Sequence, residues 1–208
     1  MLTSRLNRRQ MKGWPVRIGG PVMALLTLAL PGCGTADYVT GSQASVLLII
    51  AAINDGAQLD SDVRNGEFST FICENEVPVA VAVRNKNPNA PAPSVSGAVI
   101  LNRYDIRYFR SDGRSTEGVD VPFNVSGTLT MAVDVAESGT VDIPIEVVRR
   151  QAKLEPPLSN IQQAQILTVQ AEITVYGKTV SGDTVSDSGL LQIDFADFGD
   201  TDTQCPSN

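Results

Sequence analysis

The pattern that most constrains this chain is the alternation of apolar and polar residues along much of its length. Between Arg103 and Tyr108, every even position is apolar and every odd position is charged. Successive side chains of a β-strand point to opposite faces, so this period of two predicts strands with one buried face. The alternating segments lie at residues 77–83, 100–108, 129–135, 141–147, 167–175 and 191–195. None of them keeps the period of an amphipathic helix.

A second pattern, eight consecutive apolar residues rich in β-branched side chains, occupies Val46–Ile53. This run is too short to cross a bilayer and predicts a strand buried on both faces. The total is seven to eight strands, most of them separated by Gly, Pro, Asn or Asp clusters. These features predict an all-β fold, an antiparallel immunoglobulin-like β-sandwich. A closed barrel fits the same alternation, because the pattern does not distinguish one curved sheet from two packed sheets.

The turn residues predict how the strands connect. Ser138-Gly139 predicts a hairpin between the strands on either side, and a further turn is predicted at residues 181–183. Residues 148–165 depart from the alternation, because residues 149–153 favour a helical turn that Pro156-Pro157 would end. We expect this segment to form one short helical crossover between the sheets. The proline-rich stretch at residues 87–93 predicts a loop.

The amino-terminal 32 residues have the layout of an export signal. They carry five basic side chains and no acidic one, and an apolar stretch from Pro21 to Leu30 follows the basic part. Ten residues are too few for a membrane-spanning helix, which needs about 20. The segment therefore predicts a cleaved signal peptide rather than a transmembrane anchor.

The end of that segment, Leu30-Pro31-Gly32-Cys33, resembles the lipobox of bacterial lipoproteins. The resemblance implies cleavage before Cys33 and attachment of fatty-acyl chains, such as palmitate, to that cysteine. Two or more chains would hold the protein stably on a membrane. Gly34 looks like the pattern that permits sorting to the outer membrane, so we expect a lipid-anchored protein of the bacterial cell envelope, facing the periplasm or the cell surface. The alternative is an ordinary signal-peptidase site with an unacylated Cys33.

These features divide the chain into four parts: a signal peptide (1–32), a lipidated terminus and tether (33–43), a β-sandwich domain (44–198) and a polar tail (199–208). With Cys33 acylated, Cys73 and Cys205 remain as a pair. Outside the cytoplasm two such cysteines are expected to form a disulfide, which would hold the tail on the domain. Two unpaired thiols are the alternative.

The charge balance bears on the partners of the domain. After residue 32 the chain has 11 basic and 23 acidic side chains, a net charge of −12. Nucleic-acid binders need Lys and Arg to neutralise phosphates, so this excess of acid argues against binding DNA or RNA. It also argues against adsorption of the domain itself to an anionic lipid surface.

The sequence lacks the residue motifs of the enzyme sites considered next. There is no histidine, which excludes His-based triads and imidazole zinc ligands, and no Gly-x-Ser-x-Gly elbow occurs. A Ser–Lys pair would need Lys86, Lys153 or Lys178 to be buried, and no Ser-x-x-Lys motif is present. We therefore expect no catalysis and no cofactor, and we treat a hydrolase as a distant third hypothesis.

Two polar sets are candidate binding sites. Asp55, Asp60 and Asp62 are hard oxygen ligands close together in sequence and would suit calcium, although their spacing does not match a calcium loop and fits a solvated loop better. The second set consists of arginines in an acidic domain: Arg103, Arg107, Arg110 and Arg114. They would either pair with carboxylates on the same sheet or receive an acidic partner.

Three segments together resemble an uncharacterised family of bacterial all-β lipoproteins. They are the run from Arg103 to Arg114, the run from Gly118 to Pro122 and the closing run from Phe195 to Asp200. That family implies no activity for this chain. Separately, Asn87-Pro88-Asn89 after a strand is similar to a motif of LEA14-like sandwich domains.

These observations predict a membrane-anchored extracytoplasmic β-sandwich that serves as a structural or protein-interaction module, with another envelope protein as its partner. The alternative is a carrier that holds a small apolar ligand between its sheets. A cavity of several hundred Å³ between the sheets would favour the carrier, whereas a filled interior would favour the interaction module.

Overall fold

The computed structural model describes residues 44–63, 72–87, 89, 98–135, 139–162 and 164–198. Within these residues the chain forms β-strands, one short α-helix and two 3₁₀ turns. The strands are β1 (Val46–Ile53), β2 (Leu59–Asp62), β3 (Asn75–Asn85), β4 (Val99–Phe109), β5 (Val125–Val133), β6 (Val141–Val148), β7 (Ile166–Thr179) and β8 (Thr184–Ala196). The helix α1 spans Arg150–Lys153, and the 3₁₀ turns span Asn54–Gly56 and Leu158–Asn160.

The strands form two separate sheets, which confirms the all-β prediction. A three-stranded sheet has the order β1-β3-β6, and a five-stranded sheet has the order β2-β8-β7-β4-β5. Among the strands that the structure describes, every pair is antiparallel except one: β2 runs parallel to β8, with Leu59 opposite Ile193. The expectation of a purely antiparallel fold was therefore wrong at this edge.

The segment between β1 and β2 carries the chain from one sheet to the other. Asn54, Asp55 and Gly56 have φ angles of 50°, 53° and 81°. This left-handed region is open to Asn, Asp and Gly and disfavours most other residues. The prediction of a solvated acidic loop over residues 54–62 missed β2, which is too short and too polar to show an alternating pattern.

The predicted hairpin at Ser138-Gly139 was also wrong. β5 pairs with β4, whereas β6 pairs with β3 in the other sheet. The connection at Gly139 thus switches sheets, which period-two alternation cannot reveal. The predicted turn at residues 181–183 is confirmed, because β7 and β8 pair throughout on either side of it.

The apolar run of β1 is buried on one face only, contrary to the prediction. Val46 and Leu48 lie in the core, whereas Leu47 and Ile49 are half-buried. β1 is an edge strand of the smaller sheet. Its edge contacts β8, where the backbone N–H of Ile50 donates to Asp187 Oδ2 at 2.7 Å. This carboxylate satisfies a donor that an edge strand would otherwise expose.

The space between the sheets is filled by apolar side chains from both of them. Val79, Val81, Ile143 and Ile145 from the smaller sheet have no accessible surface, and neither do their counterparts on the larger sheet: Leu101, Val169, Ile173, Val175, Ile193 and Phe195. A water-sized space beside these side chains would register as accessible surface. The described core therefore has no ligand-sized cavity among these residues.

Tyr108 joins the two sheets across the core. It lies on β4, is buried, and its hydroxyl donates a hydrogen bond to the carbonyl of Val147 on β6. Burial raises the pKa of this phenol well above its usual range. The hydroxyl thus stays protonated and keeps its bond over the whole physiological pH range.

The predicted helical crossover is confirmed. α1 begins two residues after β6 of the smaller sheet, and the chain then enters β7 of the larger sheet. The helix ends at Lys153, before Pro156-Pro157. It is one turn long because proline cannot donate the backbone bonds that a second turn would need.

Candidate functional site

The structure separates the four candidate arginines into two pairs. Arg103 and Arg107 lie on β4, on the outer face of the five-stranded sheet. Arg110 and Arg114 lie in the segment that follows β4 and leads to β5. The set predicted from sequence is therefore two sites rather than one.

The outer face of the larger sheet carries arginines against aromatic rings. The Arg103 guanidinium lies 4.2 Å from the ring centre of Tyr176, its partner on β7. The Arg107 guanidinium lies 5.6 Å from the ring centre of Phe109. Leu190 of β8 is 60% exposed and lies two strands from Arg107. We call the set Arg103, Arg107, Phe109, Tyr176 and Leu190 the arginine face.

Both arginines of this face also pair with carboxylates of the same sheet. Arg103 Nη2 lies 3.2 Å from Asp105 Oδ2. Arg107 bonds its cross-strand partner Glu172 through Nη2 and Nε, at 2.9 and 3.0 Å from Oε2. Pairing within the sheet is therefore present, as one of the two sequence interpretations predicted. Exposed pairs of this kind contribute only about 0–1 kcal/mol, so a partner's carboxylate could replace them at small cost.

The second pair of arginines competes for one carboxylate. Asp112 Oδ2 accepts a hydrogen bond from Arg114 Nε at 2.8 Å and forms an ion pair with Arg114 Nη2 at 2.7 Å. The Arg114 side chain holds the pKa of the Asp112 carboxyl below its usual range. Arg110 Nε is 3.5 Å from the same oxygen and, within the described residues, has no hydrogen-bond partner although it is buried.

Arg110 and Arg114 line an open cleft of about 460 Å³. Val119 and Asp120 complete this wall. The opposite wall comes from the segment between α1 and β7 and from the start of β7: Pro157, Asn160, Ile161, Gln165, Ile166 and Leu167. Val119 and Ile166 are 68% and 66% exposed, which is unusual for large aliphatic side chains.

Internal hydrogen bonds hold the arginine wall of the cleft in place. The backbone N–H of Arg110 donates to the carbonyl of Arg114, and the N–H of Gly118 donates to the carbonyl of Val121. Asn124 donates its amide to Glu117 Oε1 at 2.7 Å and accepts from the N–H of Tyr108 at 3.1 Å. The wall is thus tied to β4, and ligand binding need not order it first.

The calcium hypothesis is not supported. Within the described residues no three acidic or sulfur side chains come together as a metal site. Asp55 lies on the 3₁₀ turn, whereas Asp60 and Asp62 belong to β2. Asp60 accepts from Gln58, and Asp62 accepts from the N–H of Phe198 at 3.3 Å. The strand separates these carboxylates from the turn instead of folding them around one point.

Two features of this end of the molecule were missed by sequence reasoning. One is the second wall of the cleft, whose residues follow α1 without any motif. The other is Lys153, which is 3% exposed and is the buried member of the three lysines considered above. Burial lowers the pKa of its ammonium to about 8, although Asp62 and Glu74 oppose this shift. The burial of Lys153 could not be predicted from the sequence. A buried helix face is recognised by apolar residues that repeat every 3.6 positions, and α1, with a single turn, is too short to show this repeat.

Several predicted features lie outside the described residues: the signal peptide, Cys33, the tether, Pro88 and the tail with Cys205. Cys73 is half-buried two residues before β3 begins. The Cys73–Cys205 disulfide and the acylation of Cys33 therefore stay predictions. Among the described residues no helix has the length and apolar content needed to span a membrane.

Comparisons with known proteins found no match for this chain. No family model matches the chain, and no curated protein or solved structure matches it either. The resemblances to bacterial all-β lipoproteins and to LEA14-like domains stay hypotheses. The function must therefore be argued from the site itself.

Proposed function

We propose that this protein is a lipid-anchored extracytoplasmic lipoprotein of the bacterial envelope. Its β-sandwich would act as a structural or protein-interaction module, without catalysis. The export-type segment before Cys33 and the lipobox resemblance support the anchor. A disulfide between Cys73 and Cys205 belongs to the same proposal, because both cysteines would then lie in an oxidising compartment.

The main support for the hypothesis of an interaction module is the filled interior of the sandwich. Apolar side chains without accessible surface occupy the space between the sheets. A carrier would need a cavity of several hundred Å³ in that place. Since the described core offers no such space, we expect binding on the outer surface of the domain. The carrier hypothesis lacks the cavity that it requires.

The arginine face is the surface we propose for an acidic partner. Arg and Tyr are among the residue types that contribute most to protein interfaces, and this face has two exposed arginines and the half-buried Tyr176. Here they lie beside the exposed Leu190, on a domain that is otherwise strongly acidic. Asp105 and Glu172 offset the two guanidinium charges of this face, so an acidic partner would be repelled less here than by the rest of the surface, which orients the complex.

We further propose that the sandwich is of immunoglobulin-like type. The support is the strand order. With β1, β3 and β6 as strands A, B and E, the other sheet reads G, F, C and C′ for β8, β7, β4 and β5. The arginine face then belongs to the sheet that contains strands G, F and C.

The anchor predicts a clear result in cell fractionation. Replacing Cys33→Ser removes the acylated thiol, so the protein should leave the membrane fraction and appear in the soluble envelope fraction. The double substitution Cys73→Ser with Cys205→Ser is the control and should stay with membranes, because it removes the proposed disulfide and leaves the acylated cysteine in place. Sedimentation of Cys33→Ser with membranes would contradict the anchor.

The arginine face predicts a charge-dependent capture of its partner. Arg107→Glu should strongly reduce crosslinking to envelope proteins in cells, while circular dichroism of the purified protein stays that of a β-protein. The substitution places Glu against Glu172, which costs only about 0.2–1 kcal/mol.

Two variants separate recognition from simple loss of an ion pair. The exchange Arg107→Glu with Glu172→Arg restores the pair within the sheet but reverses its direction, and should still impair capture. Arg150→Glu makes the same charge change on the exposed start of α1 and should not. Equal crosslinking of all three variants would remove the arginine face as the interface.

A further inference from the structure

The cleft lined by Arg110 and Arg114 contains a guanidinium with few partners in the protein. Asp112 accepts hydrogen bonds from the backbone N–H and the Nε of Arg114. The Nε of Arg110 is buried, lies 3.5 Å from Asp112 Oδ2 and has no hydrogen-bond partner within the described residues. Since 31% of the Arg110 side chain is exposed, an acceptor from outside would meet this exposed part and not the buried Nε.

The remaining lining indicates the rest of the ligand. Ile166, Leu167 and Val119 present aliphatic surface, and Ile166 and Val119 are more than 60% exposed. The amide side chains of Asn160 and Gln165 lie on the same lining. Aliphatic walls suit aliphatic side chains, and amides suit a peptide backbone, with which they exchange donors and acceptors.

Charge decides which anion fits. Arg110 and Arg114 lie beside Asp112 and Asp120, and Asp120 Oδ1 is 3.9 Å from Arg114 Nη1. Two carboxylates therefore offset the two guanidinium charges. Asp120 would repel a phosphate with up to two negative charges more strongly than a carboxylate with one, and a carboxylate needs only the exposed donors of Arg110.

We propose that this cleft binds the carboxyl-terminal end of a protein chain whose last residues are aliphatic. The terminal carboxylate would accept from Arg110, and the last side chains would cover Val119 and Ile166. A volume of about 460 Å³ accommodates a few residues, as expected for a chain end. The inference deepens the proposed function, because it names the chemistry of one partner segment.

The test uses the purified full-length protein and the peptide acetyl-Ala-Ala-Leu-Leu with a free carboxyl terminus, titrated by isothermal calorimetry. The same peptide as a carboxyl-terminal amide is the first control and should bind about tenfold more weakly or worse, because it cannot supply the charged acceptor. Octanoate is the second control and should bind more weakly than the peptide, because it cannot bond the amides.

Variants locate the site. Arg110→Gln should weaken binding of the free-acid peptide by about tenfold or more, while its thermal midpoint stays near that of the parent protein. Ile166→Glu changes an exposed residue and should also abolish binding, since it brings a carboxylate into the cleft. Arg150→Gln, outside the cleft, should bind like the parent.

Several results would overturn the proposal: no binding of the peptide at millimolar concentration, equal binding of acid and amide, equal binding of octanoate, or full affinity in Arg110→Gln. None of these results bears on membrane anchoring or on capture through Arg107, which the Cys33→Ser and Arg107→Glu experiments address. Failure of the cleft and failure of the proposed function are therefore distinguishable.

Discussion

Replacing Lys153→Met should stabilise the folded protein by about 3 kcal/mol at neutral pH. Lys153 is 3% exposed, and burial lowers the pKa of its ammonium from 10.5 to about 8. Below pH 8 the folded state must keep a charge in a site that disfavours it, although Asp62 and Glu74 offset part of the cost. Methionine has a similar length and no charge, so it can occupy the same space without that penalty.

The pH dependence of stability identifies the cause. Between pH 8 and pH 10.5 the unfolded chain holds a proton on Lys153 that the folded protein has released, so stability of the parent rises with pH there. The advantage of Lys153→Met should therefore shrink by about 2 kcal/mol between pH 7 and pH 9.5. Above pH 10 the buried phenols act in the opposite direction, because burial raises the pKa of both Tyr104 and Tyr108.

Urea unfolding of the two proteins at several pH values measures this difference. The control is Lys178→Met, which removes a lysine on β7 that is exposed, and should change stability by no more than about 0.5 kcal/mol at any pH. A Lys153→Met protein that is less stable than its parent, or whose advantage does not vary with pH, would show that Lys153 is neutralised by a partner.

The alternation of the chain predicted the strands other than β1 and β2, and which face of each is buried. Tyr104, Ile106 and Tyr108 are buried as expected, and the charged residues between them face outward. The physical reason is that one face of each strand contacts the core and the other contacts water. Apolar and polar residues must therefore alternate along the strand.

The same pattern contains no information about which strand pairs with which. β5 and β6 are consecutive and both alternate, yet they belong to different sheets. Pairing is decided by contacts between distant segments, such as the half-buried Asp187 that accepts from β1. β2 was missed because four residues bordering a turn, three of them polar, show no period.

The candidate site was predicted by residue type but not by arrangement. Arg103 and Arg107 were correctly placed on one strand face, since they are four residues apart on an alternating segment. The separation of Arg110 and Arg114 from them depends on where β4 ends. The aliphatic wall of the cleft comes from residues about 50 positions later, and only the folded chain brings Ile161 and Ile166 beside Arg110.

Gly127→Ala should destabilise the protein by about 2–3 kcal/mol, the range of overpacking in a well-packed core. Gly127 on β5 is the cross-strand partner of Tyr104 on β4, and the tyrosine ring lies over the glycine. A Cβ at position 127 would overlap the Cζ, Cε1 and Oη atoms of that ring. Tyr104 is itself buried, so its ring cannot move aside without losing contacts in the core.

A double-mutant cycle isolates this overlap from any general effect of changing β5. Tyr104→Val removes the three overlapping atoms, and in that background Gly127→Ala should cost close to nothing, because alanine also reduces the entropy of the unfolded chain. Thr128→Ala, on the neighbouring exposed position, should cost within about 0.5 kcal/mol of zero in both backgrounds. An equal cost of Gly127→Ala with tyrosine and with valine at position 104 would mean that the glycine is required by the backbone of β5 and not by the ring above it.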